Sequence, residues 1–191
     1  MFKGFIAGAA ALLLSGGLLF AQAQANGGGT PAQAGSVKAT WEWAKAPKSK
    51  IGPDIMNFKK QIVLEPVAGS KGAQFALEKG ECKFKTENGQ TALYHNCADS
   101  ARVENLAKKR KAEYSVTIND AATITLTVQG NGGKSPARCV AIYDAAGTLL
   151  ASVNNLSQDE APTQISVTNA PKGTYTILGN GHRIIKVEAS N

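Results

Sequence analysis

The sequence is poor in the residues that most often perform catalysis or bind metal ions. Its 191 residues include two histidines, three cysteines and two tryptophans, and Phe, Trp and Tyr together make up 6% of the chain. The G-x-S-x-G motif of hydrolases, the H-E-x-x-H motif of zinc proteases, the Walker loop and the glycine-rich dinucleotide loop are all missing. No repeat with a period of about 20 to 50 residues occurs, which argues against a solenoid or a propeller. These absences leave no catalytic residue to predict.

The two histidines lack neighbours at the spacing of metal ligands. His95 lies two residues before Cys97, which raises a metal site as one interpretation; a surface or hairpin histidine is the interpretation that we prefer. Residues 130–133 lie between two predicted strands and are interpreted as a β-turn rather than a phosphate-binding loop. The aspartates lie mostly in turns, and nothing in their spacing pairs them as the two carboxylates of a glycosidase. The sequence therefore predicts no enzyme, no cofactor and no metal site.

The first 25 residues have the three parts of a secretory signal peptide. Lys3 provides the positive charge, residues 5–20 are apolar apart from three glycines and a serine, and the small residues Ala21, Ala23 and Ala25 form two overlapping cleavage sites. A permanent membrane anchor is the alternative, but it needs about 20 consecutive apolar residues, and this core is shorter. We therefore expect export, cleavage and no stable membrane insertion, with the mature protein in the periplasm, at the cell surface or outside the cell. Residues 26–35 are expected to form a flexible leader, and residues 36–191 a single domain.

Basic residues outnumber acidic residues by 21 to 14, which gives the chain a net charge of +7. Removal of Lys3 with the signal peptide lowers that charge by one. A basic surface favours polyanions such as nucleic acid, acidic lipid or uronate polymers. The excess is modest and spread along the chain, so it is only a hint, and we predict no nucleic-acid partner.

From residue 36 onward, apolar and polar residues alternate with a period of two, which is typical of β-strands. Residues 37–43 alternate in this way, and in residues 112–118 the side chains of Tyr114, Val116 and Ile118 share one face. Further strands are predicted at residues 122–128, 138–144, 148–153, 164–168, 174–178 and 183–188, with turn residues between them. Many short strands at this spacing predict an all-β fold, an antiparallel β-sandwich or jelly roll.

The strand predicted at residues 138–144 has an inner and an outer face. Val140 and Ile142 are its largest aliphatic residues, and we expect both to point into the core. Cys139 and Tyr143 then lie on the opposite face.

One helix is a candidate, at residues 100–111, where Val103, Leu106 and Ala107 cluster. A charged connection is the alternative. The segment ends in a basic run that could grip a polyanion, although a solvated loop or helix end needs no function. The run consists of Lys108, Lys109, Arg110 and Lys111.

Three cysteines in an exported protein allow at most one intramolecular disulfide. Cys82 and Cys97 end two strand-like runs on either side of an Asn88-Gly89 turn signal. If the loop spans residues 88–91, the two cysteines face each other; a tight two-residue turn places Cys82 opposite His95 instead. We predict a Cys82–Cys97 disulfide, with other pairings or free thiols as the alternatives.

Trp41 and Trp43 lie two residues apart on one predicted strand, so their rings point to the same side. Two indoles on an exposed face form a platform that can stack on sugar rings. Two indoles on an inward face belong to the core, which is the interpretation that we prefer. The pair is therefore a weak candidate for glycan binding, as is the basic run.

Several short stretches of the chain fit one known domain pattern. Residues 138–151 (RCVAIYDAAGTLLA) are similar to R-x-L-A-L-Y-D-x-x-G-T-x-x-A, and residues 115–128 (SVTINDAATITLTV) are similar to the strand pair that precedes it. Residues 171–175 (PKGTY) resemble an AGTYYI strand, residues 183–187 (RIIKV) a closing INIYKI strand, and residues 39–43 (ATWEW) a TWDF start. Together these motifs resemble the accessory β-sandwich domains of bacterial pectate lyases, most clearly over residues 112–188.

The resemblance implies a jelly-roll, carbohydrate-binding-like domain that helps an enzyme hold a polysaccharide. It does not extend to residues 51–111, and we expect the sandwich to leave no room for the long parallel β-helix of a lyase. We therefore predict a secreted, non-catalytic module that binds a polysaccharide, and the basic charge favours an acidic one. The alternative is a structural or interaction protein of the cell envelope or of an extracellular filament, which contacts protein partners and can associate with itself.

Intact-mass analysis of the protein purified from its natural host tests the export prediction. We expect an N-terminus at Gln24 or Asn26, because cleavage follows one of the two small-residue sites. A mass that corresponds to the whole chain beginning with Met1 would contradict it.

Overall fold

The alternating stretches form β-strands in the computed structural model, which describes residues 35–43, 56–58, 60–96, 101–109 and 112–191. These residues all lie within one compact unit, residues 34–191. The strands in these ranges are β1 Lys38–Glu42, β2 Met56–Phe58, β3 Ile62–Leu64, β4 Ala68–Lys71, β5 Ala73–Glu87, β6 Gln90–Tyr94, β7 Ala112–Ile118, β8 Ala122–Gly130, β9 Cys139–Tyr143, β10 Leu149–Val153, β11 Thr163–Ala170, β12 Gly173–Asn180 and β13 His182–Ser190. The helical structure in these ranges consists of a 3₁₀ turn at Val103–Asn105 and one helical turn, α1 Leu106–Lys109. The all-β prediction is confirmed.

The strands form two antiparallel layers that share β5. In the front sheet, β8 lies between β11 and β13, and the other side of β13 pairs with β1 and with β6. Strand β4 continues the front sheet from β1, and the second half of β5 continues it from β6. The back sheet has the order β10-β9-β12-β7-β5, and β2 and β3 pair with the far side of β5. This arrangement is the predicted β-sandwich.

Strand β5 passes from the back sheet to the front sheet. Its residues 73–80 pair with β7, and residues 83–87 pair with β6. Gly80 has a φ of 113°, which residues with a side chain rarely adopt. A β-bulge between Leu77 and Lys79 adds to the bend. The bend lets one strand contribute main-chain hydrogen bonds to both layers.

The core is built from alternate side chains of the two sheets. Tyr114, Val116 and Ile118 of β7 are buried together in it, as the alternation predicts. Val140 and Ile142 of β9 are fully buried in the same cluster. The predicted orientation of both strands is confirmed.

Residues 101–109 cover the outer face of the back sheet at β9 and β12. Cys139 and Ala141 of β9 pack there with Leu106, and Tyr143 packs against the same cluster. Helix α1 is much shorter than the predicted helix over residues 100–111, because Leu106 is buried whereas Ala107 and Lys108 are exposed. A single apolar anchor followed by basic residues provides no apolar stripe to support a longer helix.

The β5–β6 hairpin closes with the tighter of the two turns that the sequence allows. Glu87 pairs with Gln90, and the turn residues Asn88 and Gly89 both have positive φ, as a two-residue type I′ turn requires. Continued by one step, this register places Cys82 opposite His95 rather than Cys97. The predicted loop over residues 88–91, which would align the two cysteines, is therefore wrong.

The Cys82 thiol is free and buried in the structure, and Cys97 lies outside the described residues. The Cys82–Cys97 disulfide stays a prediction, and the observed register of the β5–β6 hairpin does not support it.

The two tryptophans of β1 belong to the core. Trp41 is fully buried, and its Nε1–H donates a hydrogen bond of 2.8 Å to the carbonyl of Leu64. Its ring lies 5.9 Å from the ring of Phe75, between centroids. Trp43 is 7% exposed and packs against Phe84 at 5.2 Å. Both indoles point from the front sheet towards the interior.

Replacement of Trp41 by alanine should lower the free energy of unfolding by about 3 to 5 kcal/mol. The change removes a fully buried indole and leaves the Leu64 carbonyl without its donor. Thr40→Ala, one residue earlier on the outer face of the same strand, should cost less than about 0.5 kcal/mol. Urea unfolding followed by circular dichroism measures both variants, and equal losses would contradict the assignment of Trp41 to the core.

Candidate functional site

The two candidate sets from the sequence do not form one site. Because Trp41 and Trp43 are buried, they cannot stack on a sugar ring, so their interpretation as an exposed platform is wrong. Lys108 is exposed on α1, and Lys109 ends that helix. Arg110 and Lys111 lie outside the described residues. Polyanion binding by this run therefore stays a prediction.

A different aromatic residue is accessible on the outer face of the front sheet. Among the aromatic residues whose side chains the structure describes, only Tyr94 and Tyr143 are not buried. Tyr143 packs against residues 101–109, and its hydroxyl donates to the carbonyl of Val103 at 3.5 Å. Tyr94 instead lies among charged side chains of β5 and β13. In the part of the front sheet that the structure describes, Tyr94 is the aromatic ring that solvent can reach.

Strand pairing brings three basic residues to Tyr94. Lys83 lies directly opposite Tyr94 on β5, and Arg183 lies opposite it on β13. The ammonium groups of Lys83 and Lys85 are 5.4 and 4.9 Å from the centre of the Tyr94 ring, within cation–π range. We call Lys83, Lys85, Glu87, Tyr94 and Arg183 the Tyr94 surface.

Glu87 is the carboxylate of the Tyr94 surface. It forms an ion pair with Lys85 and lies 3.4 Å from a guanidinium nitrogen of Arg183. The hydrogen bond that Lys85 donates to Glu87 raises the pKa of Lys85 above its usual value, so this lysine stays charged at neutral pH. Lys83 has no carboxylate partner among the described residues. Three cations beside one carboxylate leave the surface with a net positive charge.

Arg183 supports the surface from below. It is only 5% exposed, and its guanidinium donates to the Gln129 side chain at 3.2 Å and to the Gln90 carbonyl at 3.4 Å. These contacts fix its position, and Lys83 and Lys85, which are less buried, are the cations that a ligand can reach. A sheet face with two ammonium groups beside an aromatic ring can hold the carboxylates of a polyanion.

Other charges on the same face largely cancel. Lys186 and Glu188, farther along β13, form an ion pair of 2.9 Å. The hydrogen bond to Glu188 raises the pKa of Lys186. The positive charge of this region is therefore concentrated at the Tyr94 surface.

The sequence reasoning missed the Tyr94 surface. The available signal was the alternation of Lys83, Lys85 and Glu87 on one side of a strand, with Tyr94 on the facing strand of a hairpin. The hairpin register was needed to join them. The third strand, which carries Arg183, is remote in sequence, and no local pattern predicts that it pairs with β6.

The two histidines meet inside the sandwich. His95 and His182 are fully buried, with ring centroids 5.5 Å apart and planes tilted by 21°. The interpretation of His95 as a surface histidine is therefore wrong. The Tyr114 hydroxyl lies 3.1 Å from Nε2 of His182, and the Gly181 N–H donates to Nδ1 of His95 at 3.4 Å. A Cβ at Gly179 would collide with the His182 ring, so only glycine fits there. Within the described ranges, no group of three His, Cys, Asp or Glu residues is arranged to hold a metal ion.

A groove of about 420 Å³ lies between the β9–β10 turn and the β11–β12 turn. Leu150, Pro171 and Tyr175 are among its lining residues. Its best-placed polar groups already have partners: the Tyr175 hydroxyl donates to the Pro171 carbonyl at 2.6 Å, and the Asp144 carboxylate accepts from the Thr148 N–H at 2.7 Å. The groove therefore offers a mainly apolar wall rather than converging polar groups.

Comparison with protein-family models gives no match, and comparison with curated protein sequences gives none either. A solved structure described as "BiXyn10A CBM1 APO" aligns with a TM-score of 0.30 and 12% sequence identity, over 81% of this chain and 98% of that chain. A likeness at this TM-score supports no argument about function. In the part of the chain that the structure describes, no helix is long and apolar enough to cross a membrane.

The histidine pair predicts that acid destabilises the fold. Burial, and secondarily the neighbouring His95, lowers the pKa of His182 well below its usual 6.5. The folded state therefore keeps this ring neutral, whereas the unfolded chain takes up a proton as the pH falls through its unfolded pKa. The free energy of unfolding should consequently fall by at most about 2 kcal/mol between about pH 7 and pH 5, above the range in which most carboxylates titrate.

Urea unfolding at a series of pH values measures this loss, and His182→Gln should make the profile flatter. A free energy of unfolding for the unmodified protein that stays constant over the range would contradict the prediction.

Proposed function

We propose that the protein is an exported, non-catalytic β-sandwich module that binds an acidic polysaccharide through the Tyr94 surface. The observation that carries the proposal is the net positive charge of Lys83, Lys85 and Arg183 around an accessible tyrosine ring on a sheet face. A polymer with repeated carboxylates can bind both lysines at once, and its sugar rings can lie against Tyr94. The mature protein then acts in the periplasm, at the cell surface or outside the cell.

The spacing of the lysines supports a polymeric ligand. Lys83 and Lys85 are two residues apart on one strand, so about 7 Å separates their Cα atoms along the sheet. Both side chains lie on the outer face, since the intervening Phe84 is in the core. A linear chain of acidic sugars laid along β5 meets one ammonium group after the other.

The resemblance of residues 112–188 to accessory domains of pectate lyases supports the same ligand class. In those enzymes the sandwich helps to hold a polysaccharide while a separate domain cleaves it. We extend this to the present chain as binding without catalysis. The basic run at Lys108 is a second candidate contact on the opposite side of the sandwich, because residues 101–109 cover the back sheet.

A structural or interaction role in the cell envelope or in an extracellular filament is the second candidate function. The exposed Leu149 and Leu150 on β10 favour it, because neighbouring exposed leucines are typical of protein contacts. The two functions use different parts of the sandwich and can be tested separately.

Affinity electrophoresis tests glycan binding, in gels that contain polygalacturonate or a neutral glycan, at two salt concentrations. We expect polygalacturonate to retard the protein, and we expect salt to weaken the retardation, because exposed charges are screened over about 8 Å at physiological ionic strength. Lys83→Gln with Lys85→Gln should remove most of the retardation. Lys71→Gln with Lys172→Gln is the matched control, because it removes the same charge from exposed positions elsewhere.

Substitutions at Tyr94 separate the contribution of ring stacking to binding from the contribution of charge. Tyr94→Ala should weaken the retardation, and Tyr94→Phe should preserve it, because the flat ring remains. Lack of retardation in every gel would refute glycan binding. Retardation that survives the Lys83 and Lys85 changes but is lost with Lys108→Gln would place binding on the other side of the sandwich.

A further inference from the structure

Strand β10 forms one edge of the back sheet. Within the described ranges it pairs with β9 alone; β11 of the front sheet lies close to it but does not pair with it, so the hydrogen-bonding groups of its other side have no paired strand. Natural proteins usually block such edges with charged side chains, proline or a bulge, because an open edge can add a strand from another chain. The side chains of β10 therefore decide whether this edge is protected.

The edge carries little protection. From Ala145 to Gln158 the chain contains no Lys, Arg, Asp or Glu and no proline. Leu149 is 46% exposed and Leu150 is 40% exposed, which makes two neighbouring large apolar residues accessible on one short strand. A bulge between positions 149 and 151 is the single irregularity in the pairing of β10 with β9.

The edge of the front sheet at β4 shows the contrast. Strand β4 ends in Lys71, which is exposed, and contains Gly69 at a φ of 66°. Both features disfavour the addition of a further strand there. Strand β11, close to β10, is also an uncharged edge, but its Ile165 and Val167 are not exposed. An open edge with exposed large apolar residues is thus a property of β10.

We propose that β10 is a dimerisation edge, on which β10 of a second copy of this chain adds antiparallel to the back sheet. An antiparallel pair of identical strands is related by a two-fold axis, so one edge serves both partners and the assembly closes at two copies. The inference does not depend on glycan binding.

Charge favours a second copy at this edge. The chain has a net charge of +7, so two copies repel each other wherever their basic surfaces meet. The segment from Ala145 to Gln158 is neutral and lets them approach. In the front sheet, the half of β5 that carries Lys83 and Lys85 lies four positions from β11, the strand next to β10, which is about 19 Å at the usual strand spacing, so these lysines remain outside the contact.

Sedimentation velocity of the full exported protein over a range of concentrations tests the proposal. We expect a monomer–dimer equilibrium. Leu149→Lys with Ser152→Lys should raise the dissociation constant at least about 30-fold, because like charges then meet across the two-fold axis. Gln61→Lys with Val63→Lys is the matched control on exposed positions at β3, at the opposite end of the back sheet, and should leave the constant unchanged. Thermal unfolding of each variant verifies that it folds.

Hydrogen exchange of the unmodified protein gives a readout that needs no variant. Amides of β10 should exchange more slowly as the protein concentration rises, while those of β4 should not respond. A monomer at every concentration that stays in solution would overturn the proposal. So would a dimer that persists in the Leu149 and Ser152 variant, equal weakening by the Gln61 and Val63 control, or β10 amides whose exchange is independent of concentration.

Discussion

Main-chain hydrogen bonds along β5 hold the two layers of this sandwich in one arrangement. The strand pairs with β7 in its first half and with β6 in its second half, and Gly80 lies at the bend between them. Because side chains alternate along a strand, the crossing directs Cys82 and Phe84 inward and leaves Lys83 on the outer face. The position of the front sheet over the core and the charge on its outer face therefore have the same origin.

The hairpin that follows β5 converts this alternation into a surface. Asn88 and Gly89 close a two-residue turn, and that turn sets the register that places Tyr94 opposite Lys83. A loop longer by two residues would shift every pair of the hairpin and separate the ring from this lysine. Strand β13 then adds Arg183 on the other side. The surface depends on two successive pairings, of which one is local and one is long-range.

The interior combines a large apolar core with a small polar centre. His95, His182 and Tyr114 meet there and are fully buried, and the fold keeps His182 neutral. A second apolar cluster lies on the outer side of the back sheet, under residues 101–109. The back sheet is thus covered on both faces at β9 and β12, whereas the outer face of the front sheet carries the Tyr94 surface. This asymmetry separates a charged face from a packed face.

The period-two pattern of the sequence determined the β-sandwich class, most strands after residue 112 and the inward faces of β7 and β9, because alternation follows from strand geometry alone. The same pattern placed Trp41 and Trp43 on one side but could not decide which side faced the core, since that depends on the neighbours of β1. It overestimated the helix near Leu106, where one buried leucine supports a single turn. The Tyr94 surface, the histidine pair and the open edge at β10 were decided only by tertiary structure, because each of them depends on which strands, distant in the sequence, lie side by side.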